Sequence, residues 1–176
     1  MIGDERIAYP CNHIEADNRL AWLLGRLDHR YGGHAFFVHL LRQESAVAES
    51  YSKRLWWEGS IPRAYRDGIL MLNQSTDFDV CLDFVRTVNA NIEFFLRDKQ
   101  NKMEFNLEAA EDDFEKFWYL VGAEGNLTAA LDEWKHNSNT TEEMLRRQQQ
   151  QSMSLEKSQP NFAKLFASKI KKKLLE

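Results

Sequence analysis

Apolar residues recur at three- and four-residue steps between Asp17 and Tyr31, at Leu20, Leu23, Leu24, Leu27 and Tyr31. Such a stripe predicts one helix with a single buried side, stopped by Gly32-Gly33. The residues that follow, Ala35 to Leu41, are apolar on both alternating faces apart from His39. That is the pattern of a parallel strand buried between helical layers, and a central place in the sheet is expected for it. Arg42 to Ser45 interrupts the run with polar residues. Ala46 to Leu55 then reads as a helix with Val47, Ser50, Tyr51 and Arg54 along one side, completing half of a βαβ unit.

Ile61 to Leu72 suggests another helix, with Pro62 in the first turn, where a missing N–H leaves no bond unmade. Phe78, Cys81, Leu82, Val85, Val88, Ile92, Phe95 and Leu96 keep the helical period for about five turns, which predicts the longest helix, lying across the core. Met103, Phe105 and Leu107 alternate with polar neighbours as a short strand does. Ala110 to Val121 returns to the helical period, with Phe114, Phe117 and Trp118 on one side. Its first turn is acidic at Glu111, Asp112 and Asp113, as a helix dipole favours. A further short strand is expected from Arg6 to Cys11.

After Trp134 the composition changes. His136 to Thr141 is polar, and four consecutive glutamines lie between Arg146 and Ser154. Phe162, Leu165, Phe166, Ile170 and Leu174 regain helical spacing beside Lys164, Lys169, Lys171, Lys172 and Lys173. The expected organisation is an α/β domain over residues 1–140, a polar Gln-rich linker or helix extension over 141–160, and a basic amphipathic helix over 161–176. The basic helix suits either a solvated surface or contact with an acidic membrane surface.

The 176 residues suffice for one packed domain, and 43% hydrophobic with 28% charged residues is the composition of a globular protein. A net charge of -4 supplies no basic field for nucleic acid, so any anion site has to be local. Cys11 and Cys81 lack metal or disulfide spacing, as do His29, His34 and His136 for zinc, and no metal is expected. No apolar run reaches the roughly 18 residues of a membrane span, and no signal or transit pattern opens the chain, so a cytoplasmic location is expected. The sequons at Asn73, Asn126 and Asn139 then carry little weight.

The candidate chemistry starts at Arg42. An arginine that ends a buried parallel strand stands at the carboxyl edge of the sheet, where open α/β folds bind ligands. Ser50, eight residues on, lies about two turns into the next helix and can face the same crevice. The alternatives are plain ones. Arg42 can pair with Glu44 or Glu49 at the surface, and Ser50 can bond back to the preceding helical turn. His39 suits a satisfied core histidine. Trp22, Trp56, Trp57, Trp118 and Trp134 suit packing.

The segment AFFVHLLRQESAVAESYSKR resembles the strand-loop-helix of sulfotransferases that use 3'-phosphoadenosine 5'-phosphosulfate (PAPS). The resemblance extends to NHIEADNRLAWLLGRL before it and to VRTVNANIEFF, KMEFNLE and AEDDFEKFWYLVGAEGNL after it, covering about residues 5–140. It implies a P-loop NTPase-like, sulfotransferase-like parallel sheet flanked by many helices. It also implies that Arg42 and Ser50 hold the 3'-phosphate of PAPS, and that a sulfuryl group passes to a hydroxyl or amine of a small-molecule or glycan acceptor. His13 and Glu15 are the candidate catalytic proton acceptors, though both residues also suit merely flanking the Asp17 helix.

The family's upstream Gly-rich loop, which cradles the 5'-phosphosulfate, has no counterpart before His13, so the resemblance is to an N-terminally truncated version of the fold or to a natural relative that has lost the loop. Since one preorganised donor can be worth roughly 10²–10³ in rate, nucleotide binding with little or no turnover is expected. The rival reading is a non-catalytic helical binding or scaffold protein that uses the basic tail and the acidic face from Glu108 to Glu115.

Overall fold

The structure is a computed structural model, in which residues 3–57, 59–71, 74–135 and Arg146 are described. The chain divides into a unit Met1–Trp134 and a unit Lys135–Glu176. All that follows concerns the first. The expected linker and basic helix beyond residue 140 lie outside the described residues, save for Arg146, which is helical and exposed.

Six α-helices and a two-stranded parallel sheet make the described part a mixed α/β chain. In order they are α1 (Leu24–Tyr31), β1 (Phe37–Leu41), α2 (Glu44–Ser52), α3 (Ile61–Tyr65), α4 (Asp77–Leu96), β2 (Lys102–Asn106), α5 (Ala110–Leu120) and α6 (Leu127–Asp132). β1 and β2 run in register from Phe37 beside Lys102 to Leu41 beside Asn106. The chain passes through three helices before it returns to lie next to β1.

The core is built around α4. Ala48 of α2, Leu55 and Cys81 of α4 form one fully buried cluster, with Tyr51 and Leu82 packed against it. Tyr65, Phe84 and Val85 form a second, closed by Val47, Ile61, Leu70 and Val88. Burial of this kind stabilises by about 1.5–3 kcal/mol for each large side chain. α4 begins at Thr76, whose Oγ1 accepts the Asp79 N–H at 3.1 Å and donates to Asp79 Oδ2 at 2.6 Å. One otherwise unsatisfied N–H of the first turn is thereby answered locally, and the second bond holds the capping hydroxyl in place. α3 carries Pro62 in its first turn, as the sequence predicts, and runs on as a π-helical turn over Arg66–Leu70 that ends at Met71 in the left-handed region.

Three expectations need correction. Arg6 to Cys11 holds no strand; a 3-10 turn spans Asp4–Ile7, and Ile7 alone of these residues is buried. A six-residue stretch needs a pairing partner to be a strand, and here the segment is fastened by a side chain instead. Tyr31 Oη donates to the Ile7 carbonyl at 2.5 Å and accepts the Tyr9 N–H at 2.9 Å.

The single helix expected over Asp17–Tyr31 is two pieces, a 3-10 turn Asn18–Trp22 and α1, hinged at Leu23 with φ -118° and ψ 11°. Asp17 caps the first piece by accepting the Arg19 N–H at 2.8 Å. The break lets Trp22 stack on Phe84 of α4, 6.5 Å between ring centres, while Leu27 is buried from α1. Tertiary packing outweighs the small helical preference of any one residue.

β1 is buried on one face, not two. His39 is 3% exposed, whereas Val38 and Leu40 are 39% and 59% exposed. α4 covers the face that bears Phe37 and His39. Phe95 meets the Phe37 ring edge-on at 5.2 Å, and Asn89 Oδ1 lies 3.4 Å from His39 Nε2. Nor is β1 central, because the sheet has only two strands among the described residues.

Candidate functional site

The carboxyl ends of β1 and β2 border a shallow, open cavity of about 480 Å³ lined by Arg42, Glu44, Asn89, Glu93, Asn106 and Glu108. Arg42 stands here because β1 ends at Leu41 and the chain turns at Gln43 into α2. The turn is anchored from the other strand: the Gln43 N–H donates to Glu108 Oε1 at 2.8 Å. That bond, a second main-chain N–H and the nearby Arg42 charge hold the Glu108 carboxyl below its usual range, so it is ionised at neutral pH.

Arg42 is exposed, and the surface pairings weighed for it go elsewhere. Glu44 accepts from Arg86 at 3.1 Å, and Glu49 from Lys53 at 3.1 Å. The guanidinium is thus presented to the cavity with Glu108 as its electrostatic neighbour. Three carboxylates and one guanidinium border the space, so an anion entering it meets repulsion as well as attraction.

Ser50 is not among the residues bordering this cavity. Its hydroxyl accepts from Arg54 Nη2 at 2.8 Å, and its carbonyl accepts from Arg54 Nε at 3.1 Å. The Arg54 guanidinium also lies over the Tyr51 ring, 5.7 Å from its centre. The spacing of Arg42 and Ser50 therefore yields two separate guanidinium environments, one at the sheet edge and one on the flank of α2.

His13 and Glu15, alternatives by sequence, form one pair: His13 Nε2 lies 3.0 Å from Glu15 Oε2. The His13 ring stacks on Tyr9 at 5.1 Å and 17°, and Tyr9 stacks on Tyr31 at 6.2 Å and 14°. Stacking fixes the plane of the imidazole while the carboxylate fixes its rotation, which is how a proton acceptor is oriented. Neither residue borders the Arg42 cavity.

His39 is the satisfied core histidine expected, bonded to Asn89. It also borders a second cavity of about 360 Å³ together with Glu93, Lys102 and Glu104. Sequence reasoning missed Asn89, Glu93 and Asn106 at the first cavity, and named Glu108 only as part of an acidic face. Their only signal is topological: once β2 is paired with β1, whatever follows β2 and whatever α4 carries opposite the strand ends must line the same space.

PAPS is testable against these residues in two halves. The Arg42 guanidinium suits one ribose phosphate through paired N–H donors. A phosphosulfate cradle finds no match among the described residues near residues 4–7, where Asp4 and Glu5 occupy the only turn. No group of three metal-ligating side chains occurs among the described residues, and no helix there is long and apolar enough to cross a membrane. No protein-family model, curated protein or solved structure matches the chain.

Proposed function

We propose that this chain binds the phosphate of a nucleotide at the carboxyl edge of its sheet through Arg42, as its resemblance to sulfotransferases implies. Arg42 at the mouth of the strand-end cavity, released from Glu44 and Glu49, is the observation that carries this reading. The donor in the complete reaction is PAPS, and the product side of that donor, adenosine 3',5'-bisphosphate, is the ligand expected to bind. His13, oriented by Glu15 and Tyr9, is the group suited to accept the acceptor's proton. Ser50 joins the phosphate only by exchanging its Arg54 partner.

Thermal melting tests the reading. Adenosine 3',5'-bisphosphate should raise the Tm of the purified chain by mass-action linkage, and Arg42→Ala should remove the rise. An unchanged Tm in the unsubstituted protein sinks the proposal.

The second reading, a non-catalytic scaffold, is favoured by the carboxylates. Glu44, Glu93 and Glu108 border the cavity, and Glu111, Asp112 and Glu115 are exposed on α5 just beyond it. A basic partner segment suits that surface, and for it the bisphosphate experiment should show nothing.

A further inference from the structure

We infer that β1 pairs edge to edge, antiparallel, with β1 of a second copy of this chain, giving a closed two-fold dimer. The inference starts from hydrogen bonding. The Phe37 N–H donates to the Asn101 carbonyl at 3.0 Å, and in a parallel ladder every second residue turns its N–H and C=O to the same neighbour. Phe37, His39 and Leu41 therefore bond toward β2. Val38 and Leu40 turn their main-chain groups the other way, where no strand lies among the described residues.

The two margins of the sheet are built differently. At the far side of β2 the outward Asn106 N–H is already taken by Asp113 Oδ2 at 2.9 Å, and Lys102 and Glu104 are exposed beside it. Charged residues and a covering side chain are how sheet margins are protected from stray pairing. The margin of β1 has no lysine, proline or other charge from Phe36 to Leu41. Instead Phe36, Val38 and Leu40 are 37%, 39% and 59% exposed on alternate positions, with exposed Arg42 next in the row.

That row complements itself when reversed about His39. Val38 falls opposite the partner's Leu40, and Leu40 opposite the partner's Val38, each couple exchanging two main-chain hydrogen bonds. Phe36 falls opposite the partner's Arg42, which sets a guanidinium against the negative face of an aromatic ring at both ends. The occupant fitted by this pattern of charge and apolar surface is therefore the same strand. The resulting order is β2-β1-β1-β2, with each outer margin carrying exposed Lys102 and Glu104 and its Asn106 N–H taken by Asp113, which disfavours further pairing beyond two copies.

Arg42 takes part in both this inference and the phosphate reading, and the two are separated at Leu40, which does not border the Arg42 cavity. Light scattering on the full chain at a concentration on the order of 100 µM should give twice the 20.7 kDa chain mass. Leu40→Lys should weaken dimerisation several-fold, because both Val38–Leu40 cross-strand couples lose their apolar contact at about 0.2–1 kcal/mol each. Tyr119→Lys, an equally exposed site on α5, should leave the dimer intact.

In a Cys11→Ser background, Val38→Cys chains mixed with Leu40→Cys chains should cross-link under mild oxidation, since hydrogen-bonded antiparallel couples lie about 5.5 Å apart at Cα. A monomeric wild-type protein, a dimer indifferent to Leu40→Lys, or a species larger than two copies overturns the inference. So does the absence of the mixed cross-link, which remains readable should Leu40→Lys fail to fold.

Discussion

Asp113 Oδ2 accepts the main-chain N–H of Asn106 at 2.9 Å, so a side chain of α5 does at the outer margin of β2 what another strand would do. The same carboxylate takes the Lys116 ammonium at 2.9 Å from its own helix. The Asn106 N–H and then Lys116 hold the Asp113 carboxyl below the ordinary aspartate range. A depressed carboxyl adds stability that is complete above its unfolded value of about pH 4 and is lost as pH falls through the folded one. Asp113→Asn should lower the urea midpoint at pH 7 and flatten the acid limb between pH 5 and pH 2, measured as midpoint against pH. Asp113→Ala should lower the midpoint further, because the Asn106 N–H is then left unpaired.

Glu108 and Arg42 share one cavity with opposite consequences for an anion. Glu108→Gln keeps an acceptor for the Gln43 N–H and removes a negative charge beside the guanidinium. Calorimetric titration with adenosine 3',5'-bisphosphate should show Glu108→Gln binding a few-fold tighter and Arg42→Ala binding at least about tenfold weaker, in line with about 1.5–3 kcal/mol for a charge-assisted bond. Both differences should shrink as salt is raised.

Ser50 separates the phosphate reading from its local chemistry. Its hydroxyl is held by Arg54, so Ser50→Ala should cost about 1 kcal/mol of stability or less. The bisphosphate-induced rise in Tm should fall much less in Ser50→Ala than in Arg42→Ala. Equal losses would mean that Ser50 leaves Arg54 for the ligand.

The two cysteines should react on different timescales. Cys11 is exposed, whereas Cys81 is buried and burial pushes its thiol up to about 11. Since the thiolate is the nucleophile, a disulfide reagent at pH 8 should modify one thiol quickly in the native protein and the second only as the chain unfolds. The slow phase should therefore accelerate with urea.

Much of the helix pattern was legible because it depends on spacing alone. The period from Phe78 to Leu96 marks α4, and the alternation at Met103 and Phe105 marks β2 with Phe105 inside. The hydrophobic run Ala35–Leu41 also marks a strand, yet it says nothing of what covers each face. Val38 and Leu40 are exposed because coverage comes from α4, some fifty residues away, on the Phe37 and His39 side only. The site divides in the same way. Arg42 follows from its place at a strand end, but Asn89 and Glu93 arrive from another element. The His13–Glu15 bond depends on a loop held by Tyr31, which no local pattern encodes.

The connection from Leu41 to Lys102 has a kinetic consequence. A long closure forfeits entropy before the parallel ladder returns any bond, whereas α2 can settle onto α4 over a shorter stretch, with Ala48 and Cys81 in one cluster. Helix docking therefore comes first in refolding and strand zippering last. In that interval the nascent chain carries a bare apolar ribbon, and dilution should help it recover from denaturant more than cooling does.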